Sequence, residues 1–289
     1  MGDHVVWADV VPDVFRGLMM MLQDVSLVLE NKIGLIFILD ISNSLLSALS
    51  VHEDLGKDAK TFSRNKPFAC WLSVVVNFFA GGIIANFLLG EPILAFLTDP
   101  IQIRNIYVLT AAWWFVFHAP FDLGYKTVHA FPIRLILSIM KEIYRSHKVH
   151  GGVSQIGKLY RSKPNHLLMM VIGTIKGNGA AFMLIVERII RGIWVPSPEL
   201  LQPSFTSKLS FLASAMFVLN LKNQIIPEDS LIAIVAAVFV FFKVKSMLFE
   251  GFDLFAPFEK TFSYLFQGGI WETTRVDVKR KNVKNKKND

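Results

Sequence analysis

Four basic side chains, Arg134, Lys141, Arg145 and Lys148, are spaced so that they fall within about 60° of arc on one helical face. They sit in a stretch, Val128 to about Ser154, that otherwise reads as a membrane span. Holding three of them against lipid would cost about 7 to 10 kcal/mol. The stripe therefore faces protein, water or a bound anion. Glu142 lies off the stripe and neutralises only part of it. Four readings stay open: a voltage-responsive series, a phosphoinositide headgroup site, an anion path, and structural pairing with Asp40 or Asp122. Asp40 and Lys176 also interrupt apolar stretches, and ionisable groups at membrane depth are functional by default.

Other chemistry is sparse. His118, Asp122 and His129 are spaced by four and seven residues, which fits metal ligation only loosely, and Pro120 and Pro132 make a loop of that region. No metal site is expected. Gly177-Asn178-Gly179 suggests a phosphate cradle, but the GxGxxG pattern is missing, Lys176 precedes the glycines, and no strand leads into them. GxSxG, HExxH and Cys/His pairs are likewise missing, so an enzyme is not expected. The single cysteine, Cys70, excludes an intrachain disulfide.

The elements that position these groups are membrane helices. The 289 residues are 53% hydrophobic and 18% charged, against roughly 25% charged in soluble chains, and the mean hydropathy is +0.45. A soluble globule, a disordered chain and a fibrous protein are all disfavoured. Pro67 to Gly90 is the clearest span, with no Asp, Glu, Lys or Arg in twenty-four residues. Asn105 to Phe121 is a second, with Trp113 and Trp114 placed as an interfacial girdle. Leu209 to Leu221 and Ser230 to Phe242 are shorter apolar cores. Ile33 to Val51, Val128 to Ser154 and His166 to Ile190 carry charge in mid-span and bring the total to seven. Pro12 to Leu29, broken by Arg16 and Asp24, reads as an interfacial helix.

Charge placement orients the spans. Net charge is +7, and the segment from Arg275 onward holds seven Lys/Arg against two Asp. That tail suits cytoplasmic lipid better than nucleic acid, and no nucleic-acid partner is expected. Lys57, Lys60, Arg64 and Lys66 mark the first loop as cytoplasmic, whereas Gly90 to Gln102 has Glu91 and Asp99 but no Lys or Arg. Seven spans then give a lumenal N-terminus and a cytoplasmic C-terminus. Lys158, Arg161 and Lys163 in the fourth loop dissent from this rule. The first residues are acidic and lack a cleavable leader pattern, so the first span is expected to act as the insertion signal.

Placing residues 67 to 91 over 163 to 187 aligns Gly81 with Gly177 and Glu91 with Glu187 at one offset of 96. Glycine pairs also occur in membrane helices simply to allow close packing. Two interrupted helices at matching positions point instead to an inverted three-span repeat. Freed backbone groups there need a water-lined path or protein partners. The crossing of the two halves is the expected pore.

Several segments together resemble the trimeric intracellular cation (TRIC) channel family, over about residues 35 to 266. They are Ala80-Gly-Gly-Ile-Ile with Leu88-Leu-Gly-Glu-Pro92, Pro120-Phe-Asp-Leu123, Met140-Lys-Glu-Ile-Tyr-Arg145, Lys148-Val-His-Gly-Gly-Val153, Lys176-Gly-Asn-Gly179, Glu187-Arg-Ile-Ile-Arg-Gly-Ile-Trp194 and Phe255-Ala-Pro-Phe-Glu259. The resemblance, closest to the B type, implies a homotrimer of the endoplasmic or sarcoplasmic reticulum with one pore per subunit. It would pass monovalent cations, chiefly K+, as counter-ions during calcium release. It assigns phosphatidylinositol 4,5-bisphosphate and other membrane lipid contacts to Lys141 and Arg145, with Lys148 beside them, and gating to Lys141, Lys176 and the glycine segments Gly81, Gly82, Gly177, Asn178 and Gly179. Ala80 stands where the family carries the first of three glycines. Lys286-Lys-Asn-Asp289 resembles a dilysine retrieval signal on a cytoplasmic tail. A basic path would by itself favour anions. Occupation of the basic groups by a headgroup phosphate, with Asp40, Glu91 and Asp122 acting on the rest of the path, reconciles it with cation flow.

The expected architecture is an all-α membrane protein of seven transmembrane helices, an inverted three-helix repeat plus a seventh helix, kinked in the second and fifth spans. Residues 1–32 form a lumenal segment, 33–250 the channel domain and 251–289 a cytoplasmic basic tail. A secondary transporter on the same repeat is the alternative.

Overall fold

The computed structural model describes residues 32–160, 165–194, 203–248 and 261. The helix expected over 12–29, Arg161 and Lys163, the 255–259 motif and the basic tail lie outside the described residues. Met1–Leu248 clusters as one compact unit and Phe249–Asp289 as a second, of which only residue 261 is described.

Nine α-helices are described: α1 (Lys32–Leu55), α2 (Ala59–Asn65), α3 (Pro67–Leu89), α4 (Pro100–His118), α5 (Leu123–His129), α6 (Phe131–Leu159), α7 (His166–Ile190), α8 (Phe205–Asn223) and α9 (Glu228–Leu248). No strand occurs among the described residues. Seven of these helices are nineteen residues or longer. By length and apolar composition, four segments qualify as membrane spans: Gly34–Asn65, α3, α7 and α9; a fifth is added if the bent pair α4–α5 is one span. The basic residues of α6 keep it out of that set although it is the longest helix.

Local chemistry sets the boundaries. Pro67 starts α3, where its missing N–H is harmless, and Gly90 ends it with φ 70° in the left-handed region. The Asp99 carboxylate accepts from the Ile101 amide at 3.0 Å and caps α4, with Pro100 in its first turn. Asn165 and Ser204 cap α7 and α8 in the same way. Asp99→Ala is expected to lose about 1 kcal/mol of stability, read as a lower melting temperature of the full chain in detergent.

Three expected boundaries are corrected. α4 begins at Pro100, five residues before Asn105, because Arg104 is accommodated inside the helix. It stops at His118, ahead of Pro120 rather than at Phe121. α6 begins at Phe131, and Val128 belongs to the short preceding helix. The region between Pro120 and Pro132 is accordingly no open loop. Each proline opens a helical turn, a role its fixed φ suits, and the chain bends by 94° between α4 and the following helical segment. Phe121 and Asp122 absorb that bend with φ of 55° and 61°.

The bundle's surface is apolar: Phe87, Trp114, Leu219 and Phe241 are all more than half exposed. Trp113, expected beside Trp114 in an interfacial girdle, instead packs on the core, and its indole N–H donates to Cys70 Sγ at 3.4 Å. Inside lie Leu49, Val74, Phe78, Leu109 and Val116, accompanied by buried hydroxyls. Ser42, Ser44, Ser73, Ser210 and Ser214 each donate to the carbonyl four residues back in their own helix. That internal bond lets a polar side chain enter an apolar bundle without an unmet donor.

Candidate functional site

α3 and α7 make the most extensive interhelical contact, and glycine is the reason. A Cβ on Gly81 would stand 2.7 Å from the Lys176 carbonyl oxygen, and one on Gly179 would overlap the Gly81 backbone. The two glycine segments aligned by sequence thus meet in space. Their effects on the backbone differ. α7 leaves helical geometry at Asn178 (φ −130°, ψ 26°), whereas α3 runs through Gly81 and Gly82 with no non-helical residue. The expected break in the second long helix is therefore corrected: Gly81 serves close approach, which a regular helix already permits. Gly82 has open space around its Cα.

At this crossing lies a cavity of about 80 Å³. Its walls carry Asn43 from α1, Asn77 and Gly81 from α3, Lys141, Tyr144, Arg145 and Lys148 from α6, and Lys176, Gly177, Asn178 and Gly179 from α7. Most of the residues singled out by sequence are thereby brought together. Lys148 lies over the rings of Tyr144 and Phe78, at 4.5 and 5.4 Å from their centroids. Lys176 donates to the Gln155 side-chain carbonyl, and Gln155 in turn donates to Glu91 at 3.4 Å. The Asn178 amide donates to Ser207 Oγ of α8, which pins the irregular turn.

A second cavity, of about 680 Å³, opens between α1, α6 and α9. Lys141 and Arg145 line it too, joined by Arg134, Lys243, Glu53 and Glu142. Arg145 donates to Glu142 at 2.6 Å, and both side chains are at least nine-tenths buried. Arg134 pairs with Glu53 at 2.9 Å, and His129 bonds the same carboxylate. Lys141 and Lys243 make no direct ion pair among the described residues, although the charge of Glu142 acts on both.

Two acidic residues expected on the path are elsewhere. Asp40, almost wholly buried, accepts from Arg104 at 3.1 Å and lines neither cavity. Asp122 lies at the α4–α5 corner, where the Lys60 ammonium hydrogen-bonds it and holds its carboxyl below the ordinary value. Neither makes a direct ion pair with the basic stripe, although Asp40 is hydrogen-bonded to Tyr144 of α6 and its charge acts on Lys148. Lys148, placed by sequence in the lipid group, lines the smaller cavity and not the larger.

Sequence reasoning passed over Asn43, Asn77, Gln155 and Lys243. Lys243 was reachable, since it directly follows the apolar run Leu231–Phe242 of α9. The asparagines carry no charge or period that marks them. A buried network also went unseen. Arg191, its side chain 0% exposed, donates to Glu187 at 2.8 Å and to Asp54 at 2.6 Å, while Asn77 donates to Glu187 at 3.0 Å. It ties the ends of α1 and α7 to the middle of α3. Glu91 and Glu187, equivalent in the sequence alignment, therefore differ: one follows α3, half-buried and bonded by Gln155, and the other is fully buried inside α7.

The profile of the TRIC channel family matches residues 56–250. The chain is 38% identical over 238 residues to trimeric intracellular cation channel type 1B.1 of Caenorhabditis elegans, covering 81% of this chain and 78% of the relative. It is 31% identical over 248 residues to the type B channel of Rattus norvegicus, covering 85% and 83%. Among solved structures, a trimeric intracellular cation channel from C. elegans in the absence of Ca2+ superposes with a TM-score of 0.68 at 38% identity, over 74% of this chain and 91% of that one. A structure described as the basis for activity of TRIC counter-ion channels in calcium release gives 0.67 at 32% identity, over 73% and 92%.

Proposed function

The chain belongs to the TRIC channel family, and from that premise we propose that it is a K+-preferring monovalent cation channel of the endoplasmic or sarcoplasmic reticulum, supplying counter-ion flux when calcium is released. It acts as a homotrimer with one pore in each subunit. The observation that carries this reading is the polar, partly open cavity at the α3–α7 crossing of a helical bundle whose outer face is apolar. Such a chamber inside one subunit needs no neighbouring copy to form a path. The relatives named as trimeric and as counter-ion channels support the assembly and the role.

Seven spans follow if α6 and α8 cross with their polar sides inward, α6 toward the two cavities and α8 through Ser207 and Ser210 toward α7. The three helices α1, α3 and α4 then form one half of an inverted repeat, α6, α7 and α8 the other, and α9 is the seventh. The loop charges set the N-terminus in the lumen and the C-terminus in the cytoplasm.

The larger cavity suits a phosphoinositide headgroup such as that of phosphatidylinositol 4,5-bisphosphate. Its volume lies within the usual range for ligand pockets, and Lys141 and Lys243 face it without a direct ion pair among the described residues, Glu142 being bound to Arg145. Lys141, Arg145 and Lys243 would hold the phosphates. Bound there, the lipid would supply negative charge beside the basic row. Lys141→Ala is the probe, with Lys243→Ala, which touches the larger cavity alone, as its companion, because Arg145→Ala would also strip Glu142 of its partner. The expected result is a rise of about tenfold or more in the phosphoinositide concentration that supports opening, as for one lost charge-assisted bond, with little change in melting temperature. Unchanged lipid dependence would leave Lys141 a structural residue.

Reversal potentials in asymmetric KCl test selectivity, and a chloride-selective current would overturn the cation reading. The irregular turn in α7 also suits a carrier with a discontinuous helix. Single-channel currents far above carrier turnover exclude that second reading.

A further inference from the structure

The smaller cavity presents four cationic side chains, Lys141, Arg145, Lys148 and Lys176, and no carboxylate among its lining residues. The acids outside the lining, Glu142, Asp40 and Glu91, act by charge on Lys141, Lys148 and Lys176 respectively, but Glu142 is ion-paired with Arg145 and Asp40 with Arg104, and Glu91 reaches Lys176 only through Gln155. Lys141, Lys148 and Lys176 have no ion pair among the described residues. Lys148 is held by aromatic faces and Lys176 by a neutral amide, contacts that orient an ammonium group without cancelling its charge. At about 80 Å³ the chamber is roughly half the size of a cavity that accepts benzene. That inner space matches a halide or a single phosphate in size.

We propose that this chamber is a small-anion site. Chloride or orthophosphate rests among Lys141, Arg145, Lys148 and Lys176, beside the headgroup cavity with which it shares Lys141 and Arg145, and offsets the basic row at the centre of the molecule. The site reconciles a cationic chamber with a cation path: with the anion in place, the local charge that would repel K+ falls by about one unit or more. One elementary charge about 6 Å away through water is worth roughly a threefold change in local cation concentration. This consequence for conduction rests on the channel reading, while the site itself does not.

The test uses the full chain in phosphatidylcholine nanodiscs and crystals grown from phosphatidylcholine, free of anionic lipid. With bromide replacing chloride, an anomalous peak is expected between Lys148 and Lys176. In orthophosphate without halide, tetrahedral density at the same place would identify phosphate as a second occupant of the same site. Lys148→Met and Lys176→Met should each remove the peak, with the melting temperature measured alongside to show that the variant is folded. A chamber with neither peak nor phosphate density overturns the proposal, as does a peak unchanged in both folded variants. Wild-type recordings need no variant: replacing chloride by gluconate, too large to enter, should lower unitary K+ conductance about threefold, and equal conductance in both salts would overturn the offsetting role. A protein that carries no current in either salt would sink the channel reading and leave the bromide result to decide the site.

Discussion

Gly179→Ala is expected to destabilise the bundle by about 3 kcal/mol or more and to remove channel activity with it. The new methyl would overlap the Gly81 backbone, and the reciprocal position is equally closed, since a Cβ on Gly81 would stand 2.7 Å from the Lys176 carbonyl oxygen. Backbone on both sides cannot rotate away as a side chain would, so α3 and α7 must separate along their main contact. Separation would also open the chamber that Gly81, Gly177 and Gly179 help to wall. Gly82→Ala, one residue along, meets nothing within 4 Å. It should leave stability unchanged or raise it by about 0.5–1 kcal/mol, the helix preference of alanine over glycine. Melting of the two purified variants in one detergent makes the comparison. Equal melting temperatures would mean that the two helices do not touch through these glycines.

Arg191→Ala is expected to cost about 3–5 kcal/mol, the effect of leaving one member of a buried pair uncompensated. Its guanidinium is the link between Glu187 and Asp54. Without it, Glu187, whose side chain is 2% exposed, retains only the Asn77 amide. Arg188→Ala is the control. Arg188 also donates to Asp54, at 2.6 Å, but Asp54 is partly exposed and would keep Arg191. A loss nearer 1 kcal/mol is expected there. Pairing Arg191→Met with Glu187→Leu should recover much of the lost stability, because an apolar pair removes the stranded charge along with its partner. If Arg191→Ala melts no lower than Arg188→Ala, the network does not hold α1, α3 and α7 together.

Much of this was legible in residue order. α3 was bounded by Pro67 and Gly90 and α7 by His166 and Ile190 because punctuation and apolar runs act within a few residues of one another. α4 was misplaced for the opposite reason. Arg104 looked like the edge of an apolar run, and only Asp40, sixty-four positions earlier, makes it an interior residue. The expected break in α3 is absent on similar grounds: a glycine needed for close approach and a glycine that interrupts a helix look alike in sequence, and the partner surface decides between them.

Residue order by itself determined that this is a helical membrane chain of the TRIC family and that its basic row lies on one face of α6, since composition, period and local motifs are properties of neighbouring residues. The tertiary structure alone decided that the row divides between two cavities of different size, that Lys243 joins the larger and Lys176 the smaller, and that Asp40 and Asp122 belong to neither. Those outcomes depend on which helices approach within a few ångströms. Approach is set by the glycines at the α3–α7 crossing and by ion pairs between distant segments, and no periodicity along one helix encodes what stands across from it.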